Sequence, residues 1–315
     1  MRYLLTGAAG FIGSHLGEAL LDRGDQVLGL DCFTDFYPRR IKEKNLAGLK
    51  GKTGFELLEA NLNQVNLREV LGRVDGVFHL SAQAGVRTSW GTDFDHYLEH
   101  NIRATQRLLE AMREFSKLRM VFASTSSVYG DTDQYPTPEE SLKRPFSPYG
   151  ATKLAGEGLC YLYYKNYGVH FVTLRFFTVF GARQRPDMAF HKFIRACLLS
   201  EPITIYGDGS QLRDYTYVQD IVAGALAVFD RGRTGEAYNL GGGHQTKLMD
   251  AIQTIFQLCG KSAELKYEPR VKGDVQETLA DTSKARQELG YAPKGSVELG
   301  LKEEIAWVQS LLRDN

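Results

Sequence analysis

Ser147 to Lys153 (S-P-Y-G-A-T-K) is the stretch whose residue types and spacing best suit acid–base chemistry. Pro148 suits the first turn of a helix, and Tyr149 and Lys153 are four residues apart, so their side chains share one helix face. An ammonium group near a phenol favours the phenolate and lowers the phenol pKa from its usual value of about 10. The pair is therefore a candidate general base for removing a proton from an alcohol. A non-catalytic helix with an amphipathic tyrosine beside a solvated lysine has the same spacing. Motifs elsewhere in the chain are therefore needed to distinguish the catalytic pair from this alternative.

A glycine-rich turn near the amino terminus indicates where a cofactor would bind. Residues 2–6 are predicted to form a buried strand, and a helix is predicted from about residue 11 to residue 23. The sequence G-A-A-G-F-I-G at their junction lets the backbone approach a pyrophosphate at the positive end of the helix. Its Gly-x-x-Gly-x-x-Gly spacing departs from the commoner Gly-x-Gly-x-x-Gly, and a glycine turn without a ligand is the alternative. The cofactor contacts predicted here are Gly7, Gly10, Phe11, Ile12 and Gly13.

The end of the second predicted strand, residues 26–30, distinguishes between the two nicotinamide dinucleotides. Asp31 follows this strand, and a carboxylate there can accept hydrogen bonds from both ribose hydroxyls of NAD and would repel the 2′-phosphate of NADP. Cys32 and Phe33 come next, with no arginine to bind that phosphate. The sequence therefore predicts NAD as the cofactor.

Three further strands are predicted at residues 55–59, 77–80 and 119–123, the last leading into a Ser/Thr cluster at 124–127. Alternating strands and helices imply an α/β fold with a doubly wound parallel sheet of the Rossmann type, which binds ligands at the carboxyl ends of its strands. Further cofactor contacts are predicted after these strands and on a helix at 97–115: Asn61, Leu62, Leu80, Ala82 and Asn101.

The sequence changes character after a strand predicted at 169–176. Short strands are then predicted at 203–206, 215–218, 237–240 and 265–267, with helices near 189–200, 219–231, 246–260, 281–289 and 298–313. We expect a cofactor-binding domain of residues 1–176, to which about 213–240 returns. Residues 177–212 and 241–315 are expected to form a smaller α/β substrate-binding domain.

Composition argues against several classes of protein. The 315 residues include 38 basic and 38 acidic side chains, a formal net charge of +0, and no polybasic run, so neither nucleic acid nor a membrane is expected as a partner. The apolar runs are short, and no signal peptide is expected after Met1. The four cysteines form no C-x-x-C and the seven histidines are dispersed, which predicts reduced thiols, a cytoplasmic location and no metal site.

The three motifs together resemble the extended short-chain dehydrogenase/reductase family, in order and in spacing, over essentially the whole chain. Within that family the chain looks like the nucleotide-sugar epimerases. Two stretches, 85–90 (G-V-R-T-S-W) and 175–188 (R-F-F-T-V-F-G-A-R-Q-R-P-D-M), are similar to bacterial UDP-glucuronic acid 4-epimerases.

The resemblance implies a redox-neutral cycle on a bound NAD. Tyr149 as phenolate would take the proton from the sugar 4-hydroxyl while carbon 4 gives a hydride to the nicotinamide. Lys153 would hold the phenolate and the nicotinamide ribose, and Thr125 would hydrogen-bond the reacting oxygen. The 4-keto sugar would then turn over and take the hydride back on its other face. We expect 4-epimerisation of a UDP-sugar, above all of UDP-glucuronate to UDP-galacturonate.

Arg185 is the expected specificity residue under this resemblance. A planar guanidinium, aided by the hydroxyl groups of Ser127 and Thr178, could hold the sugar carboxylate in an orientation that resists loss of carbon dioxide from the β-keto acid. The alternative is that Arg183 and Arg185 belong to a basic loop facing the diphosphate.

Other substrate contacts follow from the resemblance by position. Arg213 matches a diphosphate-binding arginine, with a solvated loop arginine as the alternative. Relatives have an arginine where this chain has Val271, so Arg270 or Lys272 is the expected substitute. The full predicted substrate set is Arg87, Ser126, Ser127, Thr178, Arg185, Arg213, Arg270 and Asp274.

Sibling reactions on the same scaffold differ in the 124–127 cluster. Sugar 4,6-dehydratases place Asp and Glu where this chain has Ser126 and Ser127, and UDP-glucuronate decarboxylases usually have Glu at the second position, so both are disfavoured. A UDP-glucose/UDP-galactose 4-epimerase stays open, as does a non-catalytic NAD-sensing regulator, although such regulators commonly lose the Tyr/Lys pair. Apolar helices near 97–115 and 150–166 predict a two-fold homodimer, with core packing as the alternative.

Overall fold

The structure is a computed structural model that describes residues 1–271 and 273–314. Its strands are β1 Arg2–Thr6, β2 Gln26–Asp31, β3 Phe55–Glu59, β4 Gly76–His79, β5 Arg119–Thr125, β6 His170–Phe176, β7 Thr178–Phe180, β8 Ile203–Tyr206, β9 Leu212–Arg213, β10 Tyr215–Tyr217, β11 Ala237–Leu240, β12 Thr246–Lys247 and β13 Leu265–Glu268. Its α-helices are α1 Phe11–Asp22, α2 Arg39–Asn45, α3 Leu67–Leu71, α4 Phe94–Tyr97, α5 Ala104–Met112, α6 Pro148–Tyr167, α7 Ala189–Leu199, α8 Val218–Arg231, α9 Leu248–Cys259, α10 Ser283–Leu289 and α11 Val297–Arg313.

Seven strands form one parallel sheet at the centre of the molecule. Their order is β11-β6-β5-β4-β1-β2-β3, so the chain starts in the middle at β1, builds outwards through β2 and β3, and then adds β4, β5 and β6 on the other side. The strand order reverses between β1 and β4, and ligands of open α/β sheets bind at the carboxyl ends of the strands at such a point. The predicted doubly wound α/β fold is confirmed.

The central strands are buried on both faces because helices cover both sides of the sheet. Successive side chains of a strand point to opposite faces, so Leu5 and Phe78 pack in one layer and Leu4 and Val77 in the other. All four side chains have 0% exposure. This rigid double layer fixes the loops that leave the carboxyl ends of the strands.

The helix predicted at 97–115 is the main departure from the predicted elements. It is divided into α4, a π-helical segment Leu98–Arg103 and α5. Such a π segment re-aims the side chains that it carries and is frequent at functional sites. A strand that was not predicted follows β6 directly: residues Thr178–Phe180 form β7, which pairs in parallel with β10.

The carboxyl-terminal half contains three two-stranded sheets and one strand that returns to the main sheet. The small sheets are β7–β10, β8–β13 and β9–β12, whereas β11 pairs with β6. Helix α8 packs against the main sheet and α1. The proposed boundaries between two domains stay a prediction. Across residues 1–271 and 273–314, no helix is long and apolar enough to cross a membrane.

Candidate active site

A cavity of about 210 Å³ lies at the carboxyl ends of the central strands. Its walls come from the glycine turn after β1, the segments after β2, β3 and β4, the end of β5, helix α6 and the loop after β7. Among the predicted cofactor and catalytic residues, the cavity is lined by Gly7, Gly10, Phe11, Ile12, Gly13, Asp31, Asn61, Leu62, Leu80, Ala82, Tyr149 and Lys153. The sheet therefore brings together residues that are up to 146 positions apart in the chain, from Gly7 to Lys153.

The glycine turn forms the floor of this cavity. Gly7 has φ +75°, and the amide of Gly10 donates to the Gly7 carbonyl at 3.0 Å, so the chain turns sharply into α1. A Cβ on Gly13 would lie 2.1 Å from the same carbonyl oxygen, which only glycine avoids. Helix α1 can thus begin directly beneath a bound pyrophosphate and present its amino-terminal N–H groups to it.

Asp31, the residue predicted to bind the cofactor ribose, lines the cavity. One carboxylate oxygen accepts a hydrogen bond from the amide of Ala9 at 3.1 Å, and the other accepts from the amide of Phe33 at 2.8 Å. Desolvation by burial raises its pKa. The two backbone contacts fix the orientation of the carboxylate towards the cavity.

Several cavity residues were not anticipated from the sequence. They come from the segment after β2 and from helix α2, where no motif marks them: Cys32, Thr34, Phe36, Tyr37 and Lys42. The Lys42 ammonium is buried and donates to the Thr34 carbonyl at 2.6 Å. Burial lowers the pKa of Lys42, and this contact fixes the loop beside Asp31.

The cavity chemistry fits a dinucleotide. Ser81 lines the wall after β4, and its hydroxyl is buried without a hydrogen-bond partner among the described residues, while its amide donates to the Thr6 hydroxyl at 3.1 Å. A buried polar atom without a partner is rare in native structures, and a bound ligand would give this hydroxyl one. The glycine turn, Asp31 and the Ser81 hydroxyl supply contacts along the length that a dinucleotide needs.

Helix α6 places the reactive pair at the other end of the cavity. The Ser147 hydroxyl caps the helix by accepting a hydrogen bond from the Gly150 amide at 3.1 Å, and Pro148 occupies its first turn. Lys153 is 4% exposed, and its ammonium donates to the Ala123 carbonyl at 2.7 Å. Burial lowers the pKa of Lys153 to about 8.

The pKa of the Tyr149 phenol differs from the expectation. Desolvation by burial raises it, and this effect outweighs the opposing effects of the Arg185 charge and of a hydrogen bond with Thr125. The predicted lowering by Lys153 is wrong for this structure, because the Lys153 ammonium is held on the Ala123 carbonyl. The positive charge that favours the Tyr149 phenolate comes from Arg185.

The Ser/Thr cluster spans the end of β5 and the start of the short turn that follows it. The Thr125 hydroxyl donates to the Ser127 hydroxyl at 3.2 Å and accepts from the Ser127 amide at 3.1 Å. Ser126 and Ser127 are half-buried in the short 3₁₀ turn Ser126–Val128. These contacts orient the Thr125 hydroxyl, which opposes part of the rise in the Tyr149 pKa.

Asn101 has a different place from the one predicted. Its buried side chain accepts from the Gln83 amide at 2.7 Å and donates to the Gln83 carbonyl at 3.0 Å and the Thr152 hydroxyl at 2.9 Å. The carboxamide is thus occupied by the protein, and Asn101 is not among the described residues that line the cavity. Asn101 belongs to the π-helical segment, and its hydrogen bonds connect Gln83 of the cavity wall with Thr152 of α6.

Arg185 enters the cavity from the loop after β7. Its Nε and Nη2 donate to the two carboxylate oxygens of Asp187 at 2.9 and 2.8 Å, and its guanidinium lies 5.8 Å from the ring centroid of Phe36. Asp187, which sequence reasoning missed, therefore fixes the plane of the guanidinium. Thr178 is not among the described residues that line the cavity. It belongs to β7, where it pairs with Tyr215 of β10, and its amide donates to the Asp214 carbonyl at 3.1 Å.

The remaining predicted substrate residues form a second cluster around Asp274. Arg87 and Arg213 donate to its two carboxylate oxygens at 2.9 and 3.0 Å. The Arg87 guanidinium also lies 4.5 Å from the ring centroid of Tyr206. A small cavity beside the cluster is lined by Tyr206, Gln211, Arg270, Val271, Asp274 and Val275. The other candidate at this loop, Lys272, lies outside the described residues.

A Rossmann sheet with a glycine turn, an acidic residue after β2 and a Tyr/Lys pair on α6 defines a nicotinamide-dependent enzyme of the short-chain dehydrogenase/reductase type. The family model described as the NAD dependent epimerase/dehydratase family matches residues 3–241. The chain belongs to this family.

Similar proteins give the relationship more detail. An uncharacterised UDP-glucose epimerase, YtcB, from Bacillus subtilis strain 168 is 47% identical over 99% of each chain. A UDP-glucuronate 4-epimerase from Thermodesulfobacterium geofontis strain OPF15 is 40% identical over 97% of this chain and 95% of its own. The crystal structure of a UDP-glucuronic acid 4-epimerase from Bacillus cereus, in complex with UDP-glucuronic acid and NAD, superimposes with a TM-score of 0.96 at 43% identity, covering 99% of this chain and 100% of its own.

Proposed function

We propose that the protein is an NAD-dependent 4-epimerase that interconverts UDP-glucuronate and UDP-galacturonate. The observation that carries this proposal is that Arg185 lines the same cavity as Tyr149, so a cation is available beside the general base. A sugar whose carbon 4 faces Tyr149 can therefore direct a carboxylate on carbon 5 towards Arg185. The names of the similar proteins from T. geofontis and B. cereus support the same substrate.

The glycine turn and Asp31 would hold NAD in this cavity. Bound NAD⁺ would supply an acceptor for the hydride of sugar carbon 4. Tyr149 takes the proton of the 4-hydroxyl and returns it when the sugar has turned over. Thr125 lies beside the phenol and, with Arg185, opposes the rise in the Tyr149 pKa that burial causes.

Arg185 provides the specificity for the acid sugar. Asp187 uses the Nε edge of the guanidinium. Among the described residues no side chain or carbonyl pairs with Nη1, so the edge that carries it can bind a carboxylate with two parallel hydrogen bonds. The 4-keto intermediate of a uronate is a β-keto acid, which loses carbon dioxide when its carboxylate stands perpendicular to the carbonyl. A carboxylate held in a fixed plane avoids that geometry, so epimerisation prevails over decarboxylation.

The Asp274 cluster binds the UDP group. Arg87 and Arg213 are oriented by Asp274, so Asp274 positions the two arginines for the diphosphate. The side-chain oxygen of Gln211 is buried without a hydrogen-bond partner among the described residues, and it can accept the N3–H of uracil at the small cavity. A firm grip on UDP leaves the sugar free to turn over, which epimerisation requires.

UDP-glucose/UDP-galactose 4-epimerisation is the second candidate. Arg185 already has a carboxylate partner in Asp187 at 2.8 Å, so a neutral sugar does not leave an unpaired cation in the cavity. The name of the B. subtilis relative agrees with this alternative. The two candidates use the same catalytic residues and differ at sugar carbon 6.

We also infer a cytoplasmic homodimer. Helix α6 has large apolar side chains that are about half exposed, with values of 53% for Tyr161, 49% for Leu162 and 52% for Tyr167. A two-fold contact along this helix would cover them on both copies. The mass in solution tests the inference, because a dimer has twice the 35.3 kDa of the chain and a monomer would refute it.

The proposed reaction is tested with the purified protein and UDP-glucuronate, with and without added NAD. We expect UDP-galacturonate to form without accumulation of reduced nicotinamide, since the redox cycle closes in each turnover. Net formation of reduced nicotinamide in proportion to product would show a dehydrogenase and contradict an epimerase.

A further inference from the structure

We propose that Glu18 and His15 are positioning residues that fasten the loop carrying Arg185 to the cofactor-binding helix α1. The proposal deepens the proposed function and rests on it for the role of Arg185. Two side chains one helical turn apart contact two consecutive residues of the loop, Ala182 and Arg183. The helix that lies under the cofactor therefore also aims the sugar-recognising arginine.

The loop after β7 has a backbone that needs external support. Gly181 has φ +130° and Arg183 has φ +67°, and the second value is uncommon for a residue that is not glycine, asparagine or aspartate. Such a conformation persists only when surrounding contacts hold it. The reversal it produces brings Arg185, two residues later, into the cavity.

His15 supplies the first contact. Its side chain is 5% exposed, and its Nε2 donates to the Ala182 carbonyl at 2.8 Å, since a carbonyl oxygen can only accept. Its Nδ1 then accepts from the Gln219 side chain at 3.2 Å, which fixes the tautomer. Burial lowers the pKa of His15 to about 4, so the ring stays neutral and the contact persists near neutral pH.

Glu18 supplies the second contact. It accepts from Arg183 Nη2 at 2.7 Å, and the two side chains are only 23% and 16% exposed. A Cβ on Gly48 would lie 1.8 Å from the same Glu18 oxygen, so glycine there leaves the space that this carboxylate occupies. Arg183 Nη1 is buried without a partner among the described residues, and a partly buried ion pair of this kind is weak evidence for stability. A role in holding the loop accounts for the Glu18–Arg183 ion pair better than a general contribution to stability does.

The arrangement also separates the two arginines of this loop. Arg183 turns towards α1, whereas Arg185 turns into the cavity. The alternative in which both face the diphosphate is therefore not supported by the geometry. Because Phe11, Ile12 and Gly13 of α1 line the cofactor end of the cavity, one rigid helix relates the position of the cofactor to that of the sugar carboxylate.

The test compares Glu18→Ala and Arg183→Asn with Asp22→Asn. Asparagine tolerates the left-handed backbone at position 183, so that variant removes the ion pair while keeping the local conformation. Asp22 is the matched control, since it lies on the same helix, its side chain is 74% exposed, and it pairs with Lys52. The readouts are KM for UDP-glucuronate and for UDP-glucose, the fraction of turnovers that release carbon dioxide, the NAD content, and hydrogen exchange of residues 182–187.

We expect both loop variants to raise KM for UDP-glucuronate about tenfold more than KM for UDP-glucose, because a displacement of about 1 Å at a positioned group is costly. Carbon dioxide release should increase, NAD content should stay unchanged, and exchange in the loop should quicken. Equal effects on both sugars, or unchanged exchange, would overturn the proposal. If the wild-type protein does not convert UDP-glucuronate, the proposed function fails instead, and loop exchange alone then decides whether Glu18 fastens the loop.

Discussion

The guanidinium of Arg185 and the phenol of Tyr149 line the same cavity, and the charge of Arg185 opposes the rise in the Tyr149 pKa that burial causes. One residue thus acts on both parts of the proposed reaction. It offers a partner to the substrate carboxylate, and it favours the phenolate that removes the proton from the 4-hydroxyl. These two effects can be measured separately.

Substituting Arg185 should change the choice of sugar. In Arg185→Ala we expect kcat/KM for UDP-glucuronate to fall by roughly 30-fold or more, since losing one member of a charged hydrogen-bonded pair costs about 2 kcal/mol or more. UDP-glucose should be affected much less. Arg185→Lys is the matched control, because it keeps the charge and loses the planar pair of donors. Equal losses for both sugars in Arg185→Ala would assign the residue to the diphosphate.

The same variant should shift the pH dependence with the neutral sugar. Tyr149 must lose its proton to act as a base, and without the Arg185 charge its pKa rises further. The acid limb of kcat/KM for UDP-glucose should therefore move to higher pH in Arg185→Ala and stay in place in Arg185→Lys. An unchanged acid limb in Arg185→Ala would mean that the Arg185 charge does not influence the base.

Removing the phenolic oxygen should stop the chemistry while leaving binding intact. For Tyr149→Phe we expect a loss of roughly 10²–10⁴-fold in kcat, the usual contribution of a general acid–base group. The affinity for UDP should be unchanged, since the Asp274 cluster does not include Tyr149. Calorimetric titration with UDP and a turnover assay separate the two effects. Turnover near the wild-type rate would show that another group is the base.

Glu304 of α11 should make stability depend on pH. Its side chain has 0% exposure, one oxygen accepts from the Gly181 amide at 3.1 Å, and burial raises its pKa well above the usual value. The folded state therefore keeps this proton above about pH 4.3, where the unfolded state loses it, so the Glu304 contribution to stability falls as pH rises.

Glu304→Gln keeps the shape and removes this titration. The gain in its melting temperature over wild type should grow between about pH 5 and pH 8, as the sign of the linkage requires. Glu298→Gln, an exposed position on the same helix, should show no such trend. A difference between Glu304→Gln and wild type that does not vary with pH would show that Glu304 is ionised in the folded protein.

Local sequence patterns predicted the fold well because they describe contacts within single elements. The glycine turn, the strands from Arg2–Thr6 to His170–Phe176 and helix α6 follow from glycine spacing, apolar runs and a Ser–Pro cap. The site residues next to strand ends could be predicted from the positions of the strands. In a parallel sheet the carboxyl ends of the strands meet at one edge, so these residues line a common cavity.

Contacts between side chains that are far apart in the chain could not be predicted from the sequence. Glu18 and Arg183 are 165 residues apart, and no pattern in either segment indicates that they meet. The π-helical segment that turns Asn101 towards Gln83 also has no sequence mark. The contact between Arg185 and Asp187 is different, because the two residues are only two positions apart in R-P-D. The sequence alone could have predicted this ion pair.

The central claim is tested most directly by an NMR time course of the purified protein with UDP-glucuronate and, separately, with UDP-glucose. The account predicts conversion of UDP-glucuronate to UDP-galacturonate without loss of carbon dioxide, and slower or no conversion of UDP-glucose. Turnover of UDP-glucose alone would contradict it, and would mean that Arg185 and Asp187 form a neutral pair that does not select for a carboxylate.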